Sequence, residues 1–416
     1  MQASPSRLNR TFSSLAIRNY RLFWLGQLVS LSGTWMQTTA QAWLVLKLTN
    51  SPVALGTVTV LQFLPVTLLT LFGGVLADRL PKRTVIICTQ SISAVQALLL
   101  AFLVLTSLIQ VWQIYIVALV LGMVSALDNP TRQAFVVEMV GPEQLQNAIA
   151  LNSSLFNAAR IIGPALGGVV ISTVGIGQAF LLNGLSFIPV LAGLILMRPE
   201  EFFIGARAAR ERVFKQLGDG LRYAANTPDV LLTLIAVGVL GTFGYNFTTI
   251  LPLITKYVLH GGADVLGLLT SAMGVGSLAS ALAVAGARRA SLRRLLGAAA
   301  IFSVLLILVG LSRLLPLTIV LLLMMGVMSI IFSAGANTRL QLSTPAHLRG
   351  RVMSLYFLLF AGTTPLGAAA VGLLAERWNV QAAVVLMGVI CVVGVGAAGM
   401  LARRSRTVGT PPPILG

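Results

Sequence analysis

Residues 74–83, GVLADRLPKR, lie at the junction of two long apolar stretches, 53–76 and 84–107. Each stretch exceeds the roughly 20 apolar residues that an α-helix needs to cross the hydrocarbon core of a bilayer. Charged residues, beginning with Asp78 and Arg79, are confined to the junction. The segment therefore predicts two membrane-spanning helices joined by a short, basic loop.

The same alternation of apolar stretch and short polar loop continues along all 416 residues, of which 56% are hydrophobic and 10% charged. The mean hydropathy of +0.91 excludes an ordinary water-soluble domain. Stretches such as LLILVG are apolar on every side, which predicts helices and not the alternating strands of a membrane barrel. We expect an all-α polytopic membrane protein with twelve transmembrane helices, near 22–46, 53–76, 84–107, 111–136, 145–173, 176–197, 230–257, 263–286, 294–311, 316–338, 352–374 and 380–402.

The net charge of +18 is distributed unevenly between the two sides of the predicted bundle. With both termini inside, the inner loops and tails are rich in arginine, whereas the outer side carries only Lys47, Lys256, Arg313 and Arg377. This asymmetry follows the positive-inside rule. We therefore expect cytoplasmic termini, a location in the plasma (inner) membrane and anionic lipids at the cytoplasmic face. The rule also explains the pI of 11.4 without a nucleic-acid partner, and we predict none.

One long polar segment, 198–229, divides the predicted spans into six and six. We expect an N-terminal half at 1–197, a cytoplasmic linker at 198–229, and a C-terminal half with a short tail at 230–416. Apolar residues recur at helical spacing between Phe214 and Leu221, beside several arginines. This pattern fits either an amphipathic helix on the inner headgroups or a solvated linker helix.

The two predicted halves carry similar sequences in register. NPTRQ at 129–133 ends the fourth predicted span, and NTRLQ at 337–341 ends the tenth. IGPALGG at 162–168 corresponds to TTPLGAA at 363–369. Parallel six-helix repeats of this kind form a midplane substrate cavity between them in one large class of transporters.

The loop at 74–83 resembles the G-x-x-x-D-R-x-G-R-R/K loop that joins helices two and three in the major facilitator superfamily. Here Pro81 replaces the usual glycine and Lys82 replaces an arginine. The resemblance implies twelve helices in two six-helix pseudo-repeats and a conformational latch at the cytoplasmic end. The aspartate can face the positive end of a neighbouring helix, and the basic pair can reach a carboxylate on the fourth span. The latch residues are Gly74, Asp78, Arg79, Lys82, Arg83 and Glu138.

An alternative function for these charges is simple anchoring on the inner side of the membrane. The corresponding loop of the second half, 286–294, keeps the positive charges but has no aspartate. We therefore expect one cytoplasmic latch and not two.

A second motif lies in the fifth predicted span. Gly163, Pro164, Gly167 and Gly168 resemble the G-P-x-x-G-G element of exporting antiporters in the superfamily. Pro164 favours a kink, and the glycines allow a close helix crossing, so generic packing is the alternative. Together with DNPTRQAF at 128–135, the motif resembles the branch of macrolide-efflux and enterobactin-export proteins.

Ionisable residues at membrane depth are expensive and are functional candidates. Asp128 on the fourth span and Arg160 on the fifth have opposite charge and lie at similar distances from the loop between the spans, so they could contact each other. We expect Asp128 to carry a coupling proton, with Arg160 as its counter-charge; the alternative is a static ion pair. Arg132 and Arg339, which match in the two repeats, rank below Arg160.

Polar and aromatic residues within the spans are candidates for a cavity that accepts amphipathic molecules. Amides in membrane helices also often hydrogen-bond between helices, which is the alternative for each of them. The candidates are Gln27, Trp35, Gln37, Gln41, Asn152, Asn157, Phe243, Tyr245 and Asn246.

No enzyme motif, cofactor site or metal site is predicted, because the two histidines, His260 and His347, lie in loops on opposite sides of the membrane. The sequence favours a monomeric, proton-coupled exporter of amphipathic small molecules such as drugs or siderophores. The alternatives are an uptake permease or a lipid-moving member of the same superfamily, and a membrane scaffold or sensor that has lost transport.

Overall fold

The computed structural model describes residues 12–203, 213–284 and 291–407, apart from the side chains of 70–79, 213–217, 219, 284, 346–347 and 403–407. Helices and their connections account for the described residues, in which no β-strand occurs. Ten helices in this part of the chain are long and apolar enough to cross a membrane. The prediction of an all-α polytopic membrane protein is confirmed.

Five α-helices occur in the described residues 12–203. They are α1 (Arg18–Thr49), α2 (Pro52–Arg79), α3 (Lys82–Leu105), α4 (Val111–Thr173) and α5 (Ile176–Ile195), with 3₁₀ turns at Ser13–Ala16 and Pro199–Glu201. The 63 residues of α4 are interrupted at Gly141, whose φ of 68° lies in the left-handed region that favours glycine. Pro142 follows directly and cannot donate a backbone hydrogen bond.

The chain reverses direction at this interruption. Contacts that fix the helix directions are Lys82–Glu138 and Thr89–Asp128 between α3 and α4, Ser30–Gln90 and Gln37–Gln96 between α1 and α3, and Tyr20–Ala148 and Trp35–Phe156 between α1 and α4. Residue numbers fall along the first part of α4 as they rise along α3, so these two segments are antiparallel. They rise together along α1 and α3, and also along α1 and the second part of α4, so these pairs are parallel. Consequently α4 contains two antiparallel segments, before and after Gly141.

Nine further helices occur in the described residues from 213 onward. They are α6 (Val213–Asn226), α7 (Pro228–Val239), α8 (Phe247–Tyr257), α9 (Ala263–Val284), α10 (Leu292–Leu311), α11 (Leu315–Leu342), α12 (Ala346–Phe360), α13 (Thr364–Arg377) and α14 (Val380–Thr407). A π-helical turn at Leu240–Gly244 links α7 to α8.

Two compact units divide the chain. The first comprises Met1–Ala209 and His260–Gly274, and the second comprises Arg210–Leu259 and Val275–Gly416. The first unit thus contains α1 to α5 and the beginning of α9.

The predicted linker helix is α6, and it packs on protein within the second unit. A Cβ added to Gly220 would lie 3.1 Å from the carbonyl oxygen of Arg351, and Tyr223 Oη donates to the Ser343 carbonyl at 2.9 Å. Leu221 is 54% exposed. The side chains of Phe214 and Leu217 lie outside the described residues.

Candidate functional site

Among the described side chains of the first unit, the most enclosed charge is that of Asp128, in the first segment of α4, which is 5% exposed. Its Oδ1 accepts hydrogen bonds from Thr89 Oγ1 at 2.6 Å and Gln90 Nε2 at 3.1 Å, both from α3. Its Oδ2 accepts from Arg132 Nε at 3.1 Å and from Arg132 Nη2. Four hydrogen bonds therefore compensate the charge of a carboxylate that is removed from water.

Arg132 connects this carboxylate to a third helix. It follows Asp128 by four residues, so both side chains lie on one face of α4 and form a close ion pair. Its Nη1 donates to Gln27 Oε1 on α1. The Asp128–Arg132 pair thus joins α1, α3 and α4 through charged hydrogen bonds.

The predicted contact between Asp128 and Arg160 is wrong, because the structure pairs Asp128 with Arg132. The Arg160 guanidinium instead lies 5.9 Å from the ring centroid of Trp35, in a cation–π arrangement. Gln27, which contacts Arg132, and Trp35 are eight residues apart on α1, or about 12 Å along a helix axis. The two arginines therefore contact α1 at different depths. Asp128 pairs with Arg132, which lies one helical turn away on α4.

Three of the predicted cavity residues, Gln27, Gln37 and Gln41, are instead buried, with exposures of 1%, 2% and 4%. Gln37 Nε2 donates to Gln96 Oε1 at 3.2 Å, and Gln37 Oε1 accepts from Asn183 Nδ2 at 2.6 Å. Gln37 therefore joins α1 to α3 and α5, which is the interhelical role given above as the alternative.

The other predicted cavity residues are distributed over both units. In the first unit, Trp35, Asn152 and Asn157 are partly exposed, and Trp35 meets Phe156 edge-to-face at 5.9 Å. In the second unit, Phe243, Tyr245 and Asn246 lie at the π-helical turn and its junction with α8. Tyr245 stacks on Phe302 at 5.0 Å and donates to the Ser329 carbonyl at 2.8 Å, and Asn246 is fully buried.

The Lys82–Glu138 contact that was predicted for the latch is present at the N-terminal end of α3. Lys82 Nζ lies 2.6 Å from Glu138 Oε1, and both side chains are partly buried. Arg83 donates to the carbonyls of Leu194 and Ile195 at 2.7 and 3.0 Å, so it caps the last turn of α5. The other latch residues, Gly74, Asp78 and Arg79, lie in the segment 70–79, whose side-chain contacts are outside the described part of the structure.

The second unit contains an ion pair that the sequence did not predict. Arg339, in the last turn of α11, lies 2.8 Å from Asp229, in the first turn of α7. Asp229 is remote in sequence from the loop at 286–294, which has no aspartate and lies largely outside the described residues.

The latch hypothesis assigns this partly exposed pair to a conformational equilibrium and not to substrate binding. On that hypothesis we expect Lys82→Gln or Glu138→Gln to slow transport several-fold at unchanged substrate affinity. The stability loss should stay below about 1 kcal/mol. The charge swap Lys82→Glu/Glu138→Lys should recover most of the rate, measured as initial transport rates in vesicles. Glu201→Gln, which removes the exposed Arg198–Glu201 pair, is the matched control. A swap no faster than the single variants would contradict the pairing.

The glycine–proline motif of the fifth predicted span (Gly163, Pro164, Gly167 and Gly168) lies in the second segment of α4 and contacts two helices. A Cβ added to Gly163 would lie 2.6 Å from the Ser32 carbonyl oxygen of α1, and one added to Gly167 would lie 3.3 Å from the Met36 carbonyl oxygen. On another face, a Cβ at Gly267 of α9 would lie 2.6 Å from the Pro164 carbonyl oxygen and 2.9 Å from Gly168 Cα. The glycines therefore allow the backbones of α1 and α9 to approach α4 closely.

The contacts of Asp128 with Thr89 and Gln90 of α3 were not predicted from the sequence, and Arg132 was ranked below Arg160. Two signals were available. Arg132 follows Asp128 at the i,i+4 spacing of helical ion pairs. In addition, TQSISAVQ at 89–96 places Thr89, Gln90 and Gln96 within an otherwise apolar span, which indicates a buried polar face.

A family model described as "Transmembrane secretion effector" matches residues 9–407. The chain belongs to this family. It is a branch of the major facilitator superfamily, so the resemblance drawn from the loop and helix-five motifs is confirmed. The chain is thus a multi-pass transporter of the plasma (inner) membrane, in a family of transporters and not of enzymes.

Three relatives each match more than four fifths of this chain and of their own length. The multidrug efflux pump Tap of Mycolicibacterium fortuitum is 27% identical, over 87% of this chain and 92% of the relative. The enterobactin exporter EntS of Shigella boydii is 26% identical, over 82% of each chain. Macrolide efflux protein A of Streptococcus pyogenes is 24% identical, over 89% of this chain and 93% of the relative.

Solved transporter structures share the fold. A crystal structure of a POT family transporter in complex with a thioalcohol conjugated peptide has a TM-score of 0.74 at 11% identity, covering 93% of this chain and 96% of that one. At this identity, the likeness concerns the fold alone.

Proposed function

We propose that this protein is a secondary active exporter that uses the proton gradient to expel amphipathic small molecules, such as drugs or siderophores, by alternating access. The observation that carries the proposal is the buried Asp128–Arg132 pair, because ionisable residues at membrane depth are costly to place there and typically mark ion pathways or conformational switches. The relatives that are named as efflux pumps and exporters support the outward direction.

In this mechanism Asp128 binds and releases the coupling proton. Protonation of Oδ2 replaces a charged acceptor by a neutral carboxylic acid, which weakens both hydrogen bonds from Arg132. The loss of charge also weakens the hydrogen bonds that Oδ1 accepts from Thr89 and Gln90 on α3, whereas Arg132 keeps its contact with Gln27 on α1. A single proton therefore changes how α1, α3 and α4 are held together, which is the kind of local charge change that biases a two-state transporter.

The remaining predicted residues have supporting roles in this proposal. Gly74, Asp78, Arg79, Lys82, Arg83 and Glu138 form the cytoplasmic latch, and the motif Gly163, Pro164, Gly167 and Gly168 provides close helix crossings. Arg160 provides a second positive charge at membrane depth. Partly exposed residues, namely Trp35, Asn152, Asn157, Phe243 and Tyr245, contact the substrate through apolar and amide groups.

We further propose twelve transmembrane helices, cytoplasmic termini and a monomer that binds anionic lipids at its cytoplasmic face. The ten apolar spans become eleven when α4 is divided at Gly141. The twelfth is α1, whose 32 residues are long enough to span but include the buried glutamines, which lower its hydropathy.

The topology predicts that reporters fused within 198–229 and after Arg403 both lie in the cytoplasm. The basic residues concentrated on that side oppose their transfer across the membrane. Alkaline phosphatase and green fluorescent protein fusions at the two sites measure this directly, with a fusion after Asn50 as the control for the outer side. A periplasmic signal from either cytoplasmic site would contradict the twelve-helix arrangement.

The function is tested by profiling the accumulation of amphipathic compounds in energised cells with and without the protein. We expect lower intracellular levels of at least one compound on expression, and recovery of those levels when an ionophore collapses the proton gradient. Raised levels on expression would instead indicate an uptake permease. The compound that responds most strongly serves as the transport probe in the experiments below.

A further inference from the structure

One face of α1 is polar and buried along much of its length. Gln27, Ser30, Gln37 and Gln41 are at most 4% exposed. Their spacings of three, seven and four residues place them on one side of the helix. From the first to the last is 14 residues, or about 21 Å, which is most of the thickness of a hydrocarbon core.

The side chains of α3 and α5 continue this polar face on both sides of α1. At the Asp128 end, Ser30 Oγ lies 3.4 Å from Oε1 of Gln90, the residue that donates to the carboxylate. Toward the other end, Gln37 contacts Gln96 and Asn183 through the hydrogen bonds described above. Polar groups thus extend from Asp128 toward the C-terminal end of α1.

Gly33 lies between these two sets of contacts, and polar side chains of α5 pack directly against it. A Cβ added there would lie 2.5 Å from Asn183 Oδ1 and 2.9 Å from Ser186 Cβ. Ser186 Oγ donates to Asn183 Oδ1 at 3.1 Å, so hydroxyl and amide groups face the glycine. The polar face is therefore continuous across the middle of the helix.

Two amide nitrogens on this face have no hydrogen-bond acceptor among the described residues. They are Gln27 Nε2, beside the Asp128–Arg132 pair, and Gln41 Nε2, at the far end of the polar face. Buried amide N–H groups are nearly always hydrogen-bonded, and water is the molecule that satisfies them where protein does not. One unsatisfied donor at each end indicates a water site at each end.

We propose that the polar face of α1 is a hydrated proton path that connects Asp128 with the outer side of the membrane. This inference rests on the proposed function, because it takes Asp128 as the proton carrier and the C-terminal end of α1 as the outer end. A proton passes from water to water, each forming one O–H bond as it releases another, and ends as an O–H group on Asp128. The amides position the waters as donors and acceptors and do not themselves titrate.

The decisive variant is Gln41→Leu. If the polar face only packs helices together, this change removes a buried donor without an acceptor, so folding is unchanged or improved and proton transfer is unaffected. In a proton path the same change removes the outer water site. We therefore expect slower protonation of Asp128 from the outside in a protein of undiminished stability.

The measurement is time-resolved infrared spectroscopy of the carboxylic acid C=O band of Asp128 after an acid jump on the outer side of uniformly oriented proteoliposomes. Loss of the band in Asp128→Asn assigns it. We expect Gln41→Leu and Gln37→Leu to slow its rise by at least about tenfold. Gln341→Leu, the same change at an exposed glutamine of the second unit, should leave it unchanged.

An unchanged rate in Gln41→Leu would overturn the proton path while leaving the role of Asp128 intact. If wild type shows no Asp128 band at any pH at which the protein is folded, the proposed function fails together with the path. Gln41→Leu keeps the test valid even if Gln37→Leu does not fold, because Gln41 Nε2 donates to no described residue.

Discussion

Asp128→Asn should abolish export driven by a pH gradient while binding of the transported compound stays nearly unchanged. An amide has the shape of a protonated carboxyl group but cannot release a proton. It can still accept hydrogen bonds from Thr89 and Gln90 through its oxygen, so α3 and α4 remain connected. Because proton release is required in every cycle, we expect gradient-driven transport to fall by at least about 10²-fold.

The measurement compares gradient-driven accumulation of the transport probe in inside-out vesicles with equilibrium binding of the same compound to the purified variant. Asp264→Asn is the matched control, since Asp264 is an exposed aspartate at the start of α9. Gradient-driven accumulation by Asp128→Asn at the wild-type level would eliminate Asp128 as the coupling residue.

Arg132→Gln should be among the most destabilising single substitutions in the first unit. It leaves the buried carboxylate of Asp128 with neutral donors only and removes the contact from α4 to Gln27 on α1. Removing one partner of a buried ion pair typically costs about 3–5 kcal/mol. We expect a corresponding loss of stability, measured as a lower midpoint of thermal unfolding in detergent.

Two further variants complete this test. Arg160→Gln removes a positive charge from the second segment of α4 but leaves the Asp128–Arg132 pair intact, so its loss of stability should be smaller. Arg160→Gln should also impair transport if its charge at membrane depth is used. In Asp128→Asn/Arg132→Gln no buried charge is left unpaired, so stability should recover in part.

Transport by the double variant separates a static ion pair from a coupling site. A static pair predicts that transport recovers together with stability. A coupling site predicts a folded protein that binds the probe and does not respond to a pH gradient. Recovery of gradient-driven transport in the double variant would therefore assign the pair to structure alone.

The membrane fold and the family followed from short-range properties of the sequence. The length of the apolar stretches and the arginines between them depend on the bilayer and not on which helix packs on which. The loop GVLADRLPKR and the motif beginning at Gly163 are contiguous in sequence, so each could be recognised without knowledge of packing.

The pairing of Asp128 could not be derived with the same certainty, because it depends on helix rotation and depth. Symmetry about the loop near Gly141 favoured Arg160, whereas the structure brings that residue to Trp35 and gives Asp128 its neighbour Arg132. The contribution of Gln90 requires the packing of α3 on α4, which apolar periodicity alone does not specify.

Simultaneous recording of proton and substrate movement in proteoliposomes tests the central claim most directly. With the transport probe at higher concentration on the cytoplasmic side and no initial pH gradient, its outward flux should drive protons inward, and Asp128→Asn should show no proton movement. Outward flux of the probe through the wild-type protein without any accompanying proton movement would contradict proton-coupled export.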